Sequence, residues 1–216
     1  SGTNSETPRS DNTDDYLGSR EERERKQKLQ NFVTDQYTRC KNARTKQERE
    51  WYKNLAFYGG EQWITWIQST FTTPKPLPWR VRLTINRIKP IIRTELSRVT
   101  SQKPNASVVP ASSEDEDLFA AQAGEQVWES FYNRKQLYRT FSRTAWWMLL
   151  TGTGFLKTYW DESVEDVYSN VYGDVEVENV TPFHLFVPDL LEPELERQLY
   201  VIHAKTVPIL TAKALY

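Results

Sequence analysis

Positive charge is concentrated between Trp79 and Lys103. Arg80, Arg82, Arg87, Lys89, Arg93, Arg98 and Lys103 are opposed there by a single carboxylate, Glu95. Such a run, with the Trp79 indole beside it, has the chemistry to follow a phosphate backbone and stack on a base. The same cations could instead pair with carboxylates in the rest of the chain or in a neighbouring subunit. Other reactive groupings are sparse. Glu114-Asp115-Glu116-Asp117 gathers four carboxylates, but consecutive helical positions point in different directions and do not converge on one ion. At a helix N-terminus they would complement the helix dipole. Gly152-Thr153-Gly154 follows a helix and precedes a strand, the reverse of a phosphate-binding turn, and lacks the Gly-Lys-Ser/Thr ending. His184 and His203 are the two histidines, without a metal-site spacing around them. No serine sits in a nucleophile-elbow context. The sequence therefore offers no catalytic residues, no cofactor site and no metal site.

The elements that position the basic segment are marked by strong punctuation. Leu29, Phe32, Val33, Tyr37, Cys40, Ala43, Trp51, Leu55 and Tyr58 recur at helical spacing, with a break expected near 43–47. Gly59-Gly60 then stops the helix, and Trp63 follows; one of the glycines is expected at positive φ, making a structural elbow of Gly59, Gly60 and Trp63. Trp63, Trp66 and Ile67 read as a short helical or turn segment. Thr72 to Pro78 reads as a proline-rich loop, and Arg80 to Leu83 as weakly strand-like. Asn86 is the expected N-cap of a helix reaching about Gln102, with Pro90 in its first turn. Ser112 or Ser113 should cap the next helix, with a break near Asn133. After Gly154 the period changes to two. Phe155 to Trp160 and Asp174 to Val180 alternate, and Gly173 with Asp174 lies between Val164 to Tyr172 and the later run, a strand meander or hairpin, followed by strand candidates at Phe183 to Val187 and Gln198 to Val207. Four regions result: a disordered tail at 1–19, a helical region at 20–152, a β-rich region at 153–207 and the start of a further helix at 208–216.

Composition narrows the class. The chain has 216 residues, 38% hydrophobic and 13% aromatic with eight Trp, and its mean hydropathy is −0.70. Polarity combined with many large aromatics suits a subunit that covers its Trp and Tyr partly against neighbours. The net charge of −1 conceals an asymmetry. There are 20 Lys and Arg against 12 Asp and Glu up to Pro110, and 8 against 17 from Ala111 onward. Opposite halves could attract within one molecule or between identical neighbours. One cysteine, Cys40, excludes an internal disulfide framework. No apolar run reaches about 18 residues, so no membrane span is expected. The start of the sequence carries Asp11, Asp14 and Asp15 rather than a basic then apolar leader, and a reducing cytoplasm is the expected setting of assembly.

The order of these features resembles the N-terminal part of tailed-bacteriophage portal proteins, the head-to-tail connectors. The resemblance runs through Tyr58-Gly59-Gly60-Glu61-Gln62-Trp63, Asn86-Arg87-Ile88, Lys103-Pro104-Asn105-Ala106, Gly152-Thr153-Gly154, Trp160-Asp161, Gly173, Asn179-Val180-Thr181-Pro182 and Val187-Pro188-Asp189. It covers roughly Trp51 to Pro208. It implies an α+β fold, with long amphipathic wing helices followed by a small antiparallel β-rich part. The stem and clip would lie beyond Tyr216, so the sequence reads as stopping inside an architecture. It also implies a structural, non-enzymatic homo-oligomer, usually a dodecameric ring, at one capsid vertex of the virion. Double-stranded DNA would pass through its channel during packaging and ejection. Major capsid protein, scaffold where present, terminase and tail adaptor proteins would be its partners. The competing readings are a nucleic-acid-binding module that uses Arg80 to Lys103 directly and, behind it, a hydrolase or nuclease with unrecognised carboxylates.

Overall fold

The computed structural model describes residues 13–102, 107–112, 114–166, 171–192 and 194–211. It divides into two compact units, Ser1–Arg44 with Phe186–Ile202, and Thr45–Leu185 with His203–Tyr216. The expected tail falls largely outside the described residues, as do Lys103 to Ala106, Ser113 and the positions after 211.

The first unit is built on helix α1, Thr13–Ala43. Leu29, Phe32 and Val33 of its apolar stripe are exposed, and cover begins only near its C-terminal end. There Tyr37 meets the Phe186 ring edge-on at 4.5 Å, and the Arg44 guanidinium lies 3.6 Å from the same ring's centroid. Buried Cys40 brings its Sγ to 3.7 Å from the Tyr200 hydroxyl, which donates to Gln36 Oε1 at 2.7 Å. Gln198 organises the return loop, donating from Nε2 to Asp189 O and Glu192 O and accepting from the Asp189 N–H.

The second unit is centred on helix α5. It contains α2 (Thr45–Gly59), strands β1 (Thr65–Ile67) and β2 (Thr70–Thr72), and helices α3 (Ile88–Val99), α4 (Asp115–Arg134) and α5 (Leu137–Thr151). Antiparallel strands β3 (Phe155–Asp166) and β4 (Val171–Val180) follow. Helix α5 packs on α2, α3, α4 and β4. An aromatic cluster joins these elements. Trp51 and Trp147 both meet Phe183 edge-on, Tyr58 meets Trp146, and Trp146 meets Trp147. The last carbonyls of α5, which no helical N–H can reach, accept from α2 instead. Trp51 Nε1 donates to Thr151 O at 3.0 Å and Asn54 Nδ2 to Leu150 O at 2.9 Å. Gly152 ends α5 at φ +85°, and a Cβ on Gly154 would stand 2.6 Å from Thr144 O. The Gly-Thr-Gly triplet is thus a helix stop and a close approach of β3 to α5. The final short strands, β5 (Leu185–Phe186) and β6 (Ile202–His203), pair with each other.

Several local expectations change. Where Trp63, Trp66 and Ile67 read as a helical or turn segment, residues 65–72 form a hairpin, turned at Gln68 and Ser69 with positive φ, +49° and +62°. A two-residue turn needs that conformation and usually recruits Asn or Gly for it. Trp66 and Phe71 pair across the hairpin at 4.7 Å. Arg80 to Leu83 is extended in sequence pattern but joins no sheet among the described residues. The helix expected to reach Gln102 ends at Val99. Ser112 stands before the N-cap, Glu114, though its hydroxyl still accepts the Glu114 N–H at 3.2 Å. Gly173 lies inside β4 and not in a turn. The strand register shifts between Asp161 and Glu165, and a Cβ on Gly173 would meet Trp160 Nε1 at 2.4 Å, so the indole lies over its backbone. Phe183 belongs to a 3-10 turn, Pro182–His184, and of Gln198 to Val207 only Ile202–His203 is strand.

The hairpin β3–β4 is tied to the α4–α5 corner by charge. Lys135 Nζ lies 2.8 Å from Asp174 Oδ2 and also contacts Glu176, with its side chain only 12% exposed. Hydrogen bonding to Lys135 holds the Asp174 carboxyl below its ordinary range. Burial pulls Lys135 down, but its bonds to Asp174 and Glu176 outweigh that and hold it above its ordinary value.

Candidate interface segment

The basic segment is launched by the elbow, whose geometry follows from its residues. At the end of α2 the Glu61 N–H donates to Ala56 O at 2.9 Å and the Gly60 N–H to Phe57 O at 3.1 Å. This crossed pair is the Schellman closure, which places C′ in the left-handed region. Gly60 takes that position with φ +101°, whereas Gly59 is the last helical residue. Asn86 then locks the elbow from the far side of the loop. Its Nδ2 donates to Tyr58 O at 2.9 Å, while its Oδ1 accepts the N–H groups of Ile88 and Lys89, both at 3.1 Å. Arg87 occupies the formal N-cap position of α3, yet the Asn86 side chain does the capping. Trp63 Nε1 donates to Thr84 Oγ1 at 2.9 Å and Gln62 Nε2 to Ile85 O at 3.4 Å. One amide side chain thus ends α2, starts α3 and fixes their junction.

The basic residues separate into two roles. Arg82 turns inward: its guanidinium donates to Pro74 O and, at 3.3 Å, to Lys75 O, and lies 5.2 Å from the Trp63 ring centroid. Lys89 is half-buried, with Nζ 5.9 Å from the Tyr58 ring. Arg98 pairs with Glu95 at 3.0 Å. Arg80, Arg87 and Arg93 are exposed. At about 100° per residue, Arg93 lies roughly 240° round α3 from Arg87, and Arg98 only about 20° from it. The segment therefore presents no single basic row of the kind that tracks a phosphate backbone. Lys103 lies outside the described residues.

Between the inward anchors lies a feature that sequence reasoning passed over. Trp79, Val81, Leu83 and Ile85 are all exposed, at 78%, 92%, 74% and 60%. They alternate in sequence with Arg80, Arg82 and Thr84, of which Arg82 and Thr84 are hydrogen-bonded within the loop while Arg80 is exposed. The period-two pattern was visible in the sequence; only its exposure was not.

Among the described residues, no group of three or more His, Cys, Asp or Glu could hold a metal ion, and no helix is long and apolar enough to cross a membrane. His184 and His203 lie at the β5–β6 pair, and burial, helped by Lys157, holds the His203 imidazole below its ordinary value. What the fold defines is an α+β structural module whose polar side chains are spent on geometry and whose loops carry exposed apolar residues. The chain belongs to the phage P22-like portal protein family, whose family model matches residues 34–214. Among curated proteins nothing matches it. Portal proteins are structural components of the phage capsid that work as oligomeric rings, which fixes the role of this chain at that level.

Proposed function

We propose that this chain is a subunit of a portal ring, a dodecamer, at one capsid vertex, through which viral DNA is packaged and ejected and to which the tail attaches. The family match over 34–214 carries the reading. The exposed apolar row at 79–85 supports it, since such surface suits contact with a neighbour better than water. Residues 20–152 supply the helical wing and 153–207 the β-rich part. Major capsid protein, terminase and tail adaptors are the partners, DNA occupies the channel, and assembly takes place in the host cytoplasm.

Within the ring, the exposed Arg80, Arg87 and Arg93 face an acidic surface of the adjacent subunit. The Gly59-Gly60-Trp63 elbow sets the angle at which they are presented. A head-to-tail contact of this kind closes a ring when its rotation fits. Mass photometry should give one dominant species at a multiple of the 25.4 kDa subunit, and electron micrographs should show rings with a central hole. Charge reversal at Arg87 and Arg93 is expected to weaken assembly at moderate salt, and an unchanged ring mass would count against that pairing. A chain that stays monomeric and binds duplex DNA with a steep salt dependence would favour the nucleic-acid-binding module instead.

A further inference from the structure

The structure also points to the surface that receives the arm. We propose that residues 77–85 of one copy lie along the outer face of α4 in a second copy, an inference that rests on the ring reading above.

The arm has two matched sides. Arg82 fastens it to the proline loop, and Thr84 and Asn86 fasten it to the elbow, while Trp79, Val81, Leu83 and Ile85 remain largely exposed. A segment held at Arg82, Thr84 and Asn86 is preorganised, so docking costs little additional ordering. Arg80, inside this apolar row, and Arg87, just beyond it, are exposed.

Helix α4 offers the complement. Phe119 and Val127 are 71% and 69% exposed. Ala123 stands between them at helical spacing, also exposed, so Phe119, Ala123 and Val127 form one outward stripe. Its small middle residue lets a backbone approach closely. At the head of the stripe stand Glu114, Asp115 and Glu116, all exposed. An apolar row carrying arginines therefore meets an apolar stripe headed by carboxylates.

The two surfaces are different patches of the chain, so the contact is heterologous and each copy can both give and receive an arm. A second copy is favoured over another partner because both charge signs and both apolar rows are already present on this chain.

The test uses the full chain with Leu83 replaced by the photocrosslinker p-benzoylphenylalanine, assembled from mixed nitrogen-15-labelled and unlabelled copies. Mass spectrometry should find heavy-to-light crosslinks from residue 83 to peptides within 114–127. Crosslinks confined to one isotope, crosslinks to other elements, or none in an assembled ring would overturn the proposal. As a second arm, Arg80→Glu with Arg87→Glu should reduce the assembled fraction about tenfold or more, and Glu114→Lys with Glu116→Lys in the same chain should restore it. Rings that form but ignore both swaps refute the arm contact and leave the ring reading standing. A wild-type chain that never exceeds monomer mass refutes both.

Discussion

Two corners of the second unit share one stop chemistry and lead to opposite outcomes. At the end of α2, Gly60 turns the chain at φ +101°; at the end of α5, Gly152 does so at φ +85°. Beyond Gly152 the chain is pressed inward. Trp51 and Asn54 of α2 take the last α5 carbonyls, and Gly154 sits against the Thr144 backbone. Beyond Gly60 the chain is pushed outward: Asn86, Trp63 and Arg82 fasten the loop, and the residues between them face solvent. A left-handed glycine ends a helix, but the groups that meet the next ten residues decide whether a corner builds core or surface.

The comparison breaks most sharply at Trp51. Its side chain is 6% exposed, its indole satisfies Thr151 O, and its ring packs edge-on against Phe183. Trp51→Ala removes all three and leaves a cavity, a loss of about 3–5 kcal/mol. At roughly 2–4 °C per kcal/mol in a chain of this size, the melting temperature should fall by on the order of 10 °C. Denaturant unfolding followed by Trp fluorescence would check it. A loss under about 1 kcal/mol would mean that the inner corner is no better packed than the outer one.

Gly154→Ala should come next. The new Cβ would stand 2.6 Å from Thr144 O and 2.9 Å from Thr144 Cγ2, and a backbone oxygen cannot swing away as a flexible side chain can. Overpacking of this kind costs about 1–3 kcal/mol. Gly60→Ala makes the informative partner. Its nearest neighbour, Asn86 Nδ2, would be 3.5 Å away, so mainly the left-handed conformation is penalised, at about 1 kcal/mol. Thermal unfolding should rank Gly154→Ala below Gly60→Ala; the reverse order would assign the tighter fit to the outer corner.

Asn86→Ala tests the elbow itself. It strips two N–H groups of their acceptor and Tyr58 O of its donor. Loss of a cap costs about 1–2 kcal/mol, and the Thr84–Ile88 backbone should show faster amide exchange. Asn86→Asp keeps the acceptor and loses the donor, so it should recover part of the loss. Identical behaviour of the two variants would show that only the bond to Tyr58 matters.

These positions also show how far the sequence could be read. The mixed α+β class, the family and the helices were legible because periodicity, the glycine pair and the prolines are local signals. Asn86 was recognisable as a cap for the same reason. Its second bond, to Tyr58 28 positions earlier, depends on a loop closure that no local pattern records. The β1–β2 hairpin was hidden because Gln68 and Ser69 adopt a conformation their types seldom take. Gly173 misled in the opposite direction. Its freedom suggested a turn; the glycine is needed inside β4 instead, where it takes φ +90° and lies under the Trp160 indole of the facing strand. The basic run was visible as a composition, whereas the division into inward Arg82 and Lys89 and outward Arg80, Arg87 and Arg93 needed three dimensions.

The smallest effect on folding is expected where the sequence looks most hydrophobic. Leu83 is 74% exposed on the arm, so Leu83→Ser removes almost no buried apolar surface from the isolated subunit. Substitutions at such sites usually stay within about 0.5 kcal/mol, so the melting temperature of the monomer should move by no more than about 2 °C. The same change in Leu150, 5% exposed on α5, should cost several kcal/mol, because a cavity and an unpaired hydroxyl would be buried together. Comparing Leu83→Ser and Leu150→Ser by differential scanning calorimetry at low protein concentration isolates the subunit from its assembly. If the Leu83 variant unfolds as early as the Leu150 variant, the arm belongs to the core of its own subunit. A Leu83 variant that keeps its melting temperature but assembles poorly places the value of that leucine between subunits.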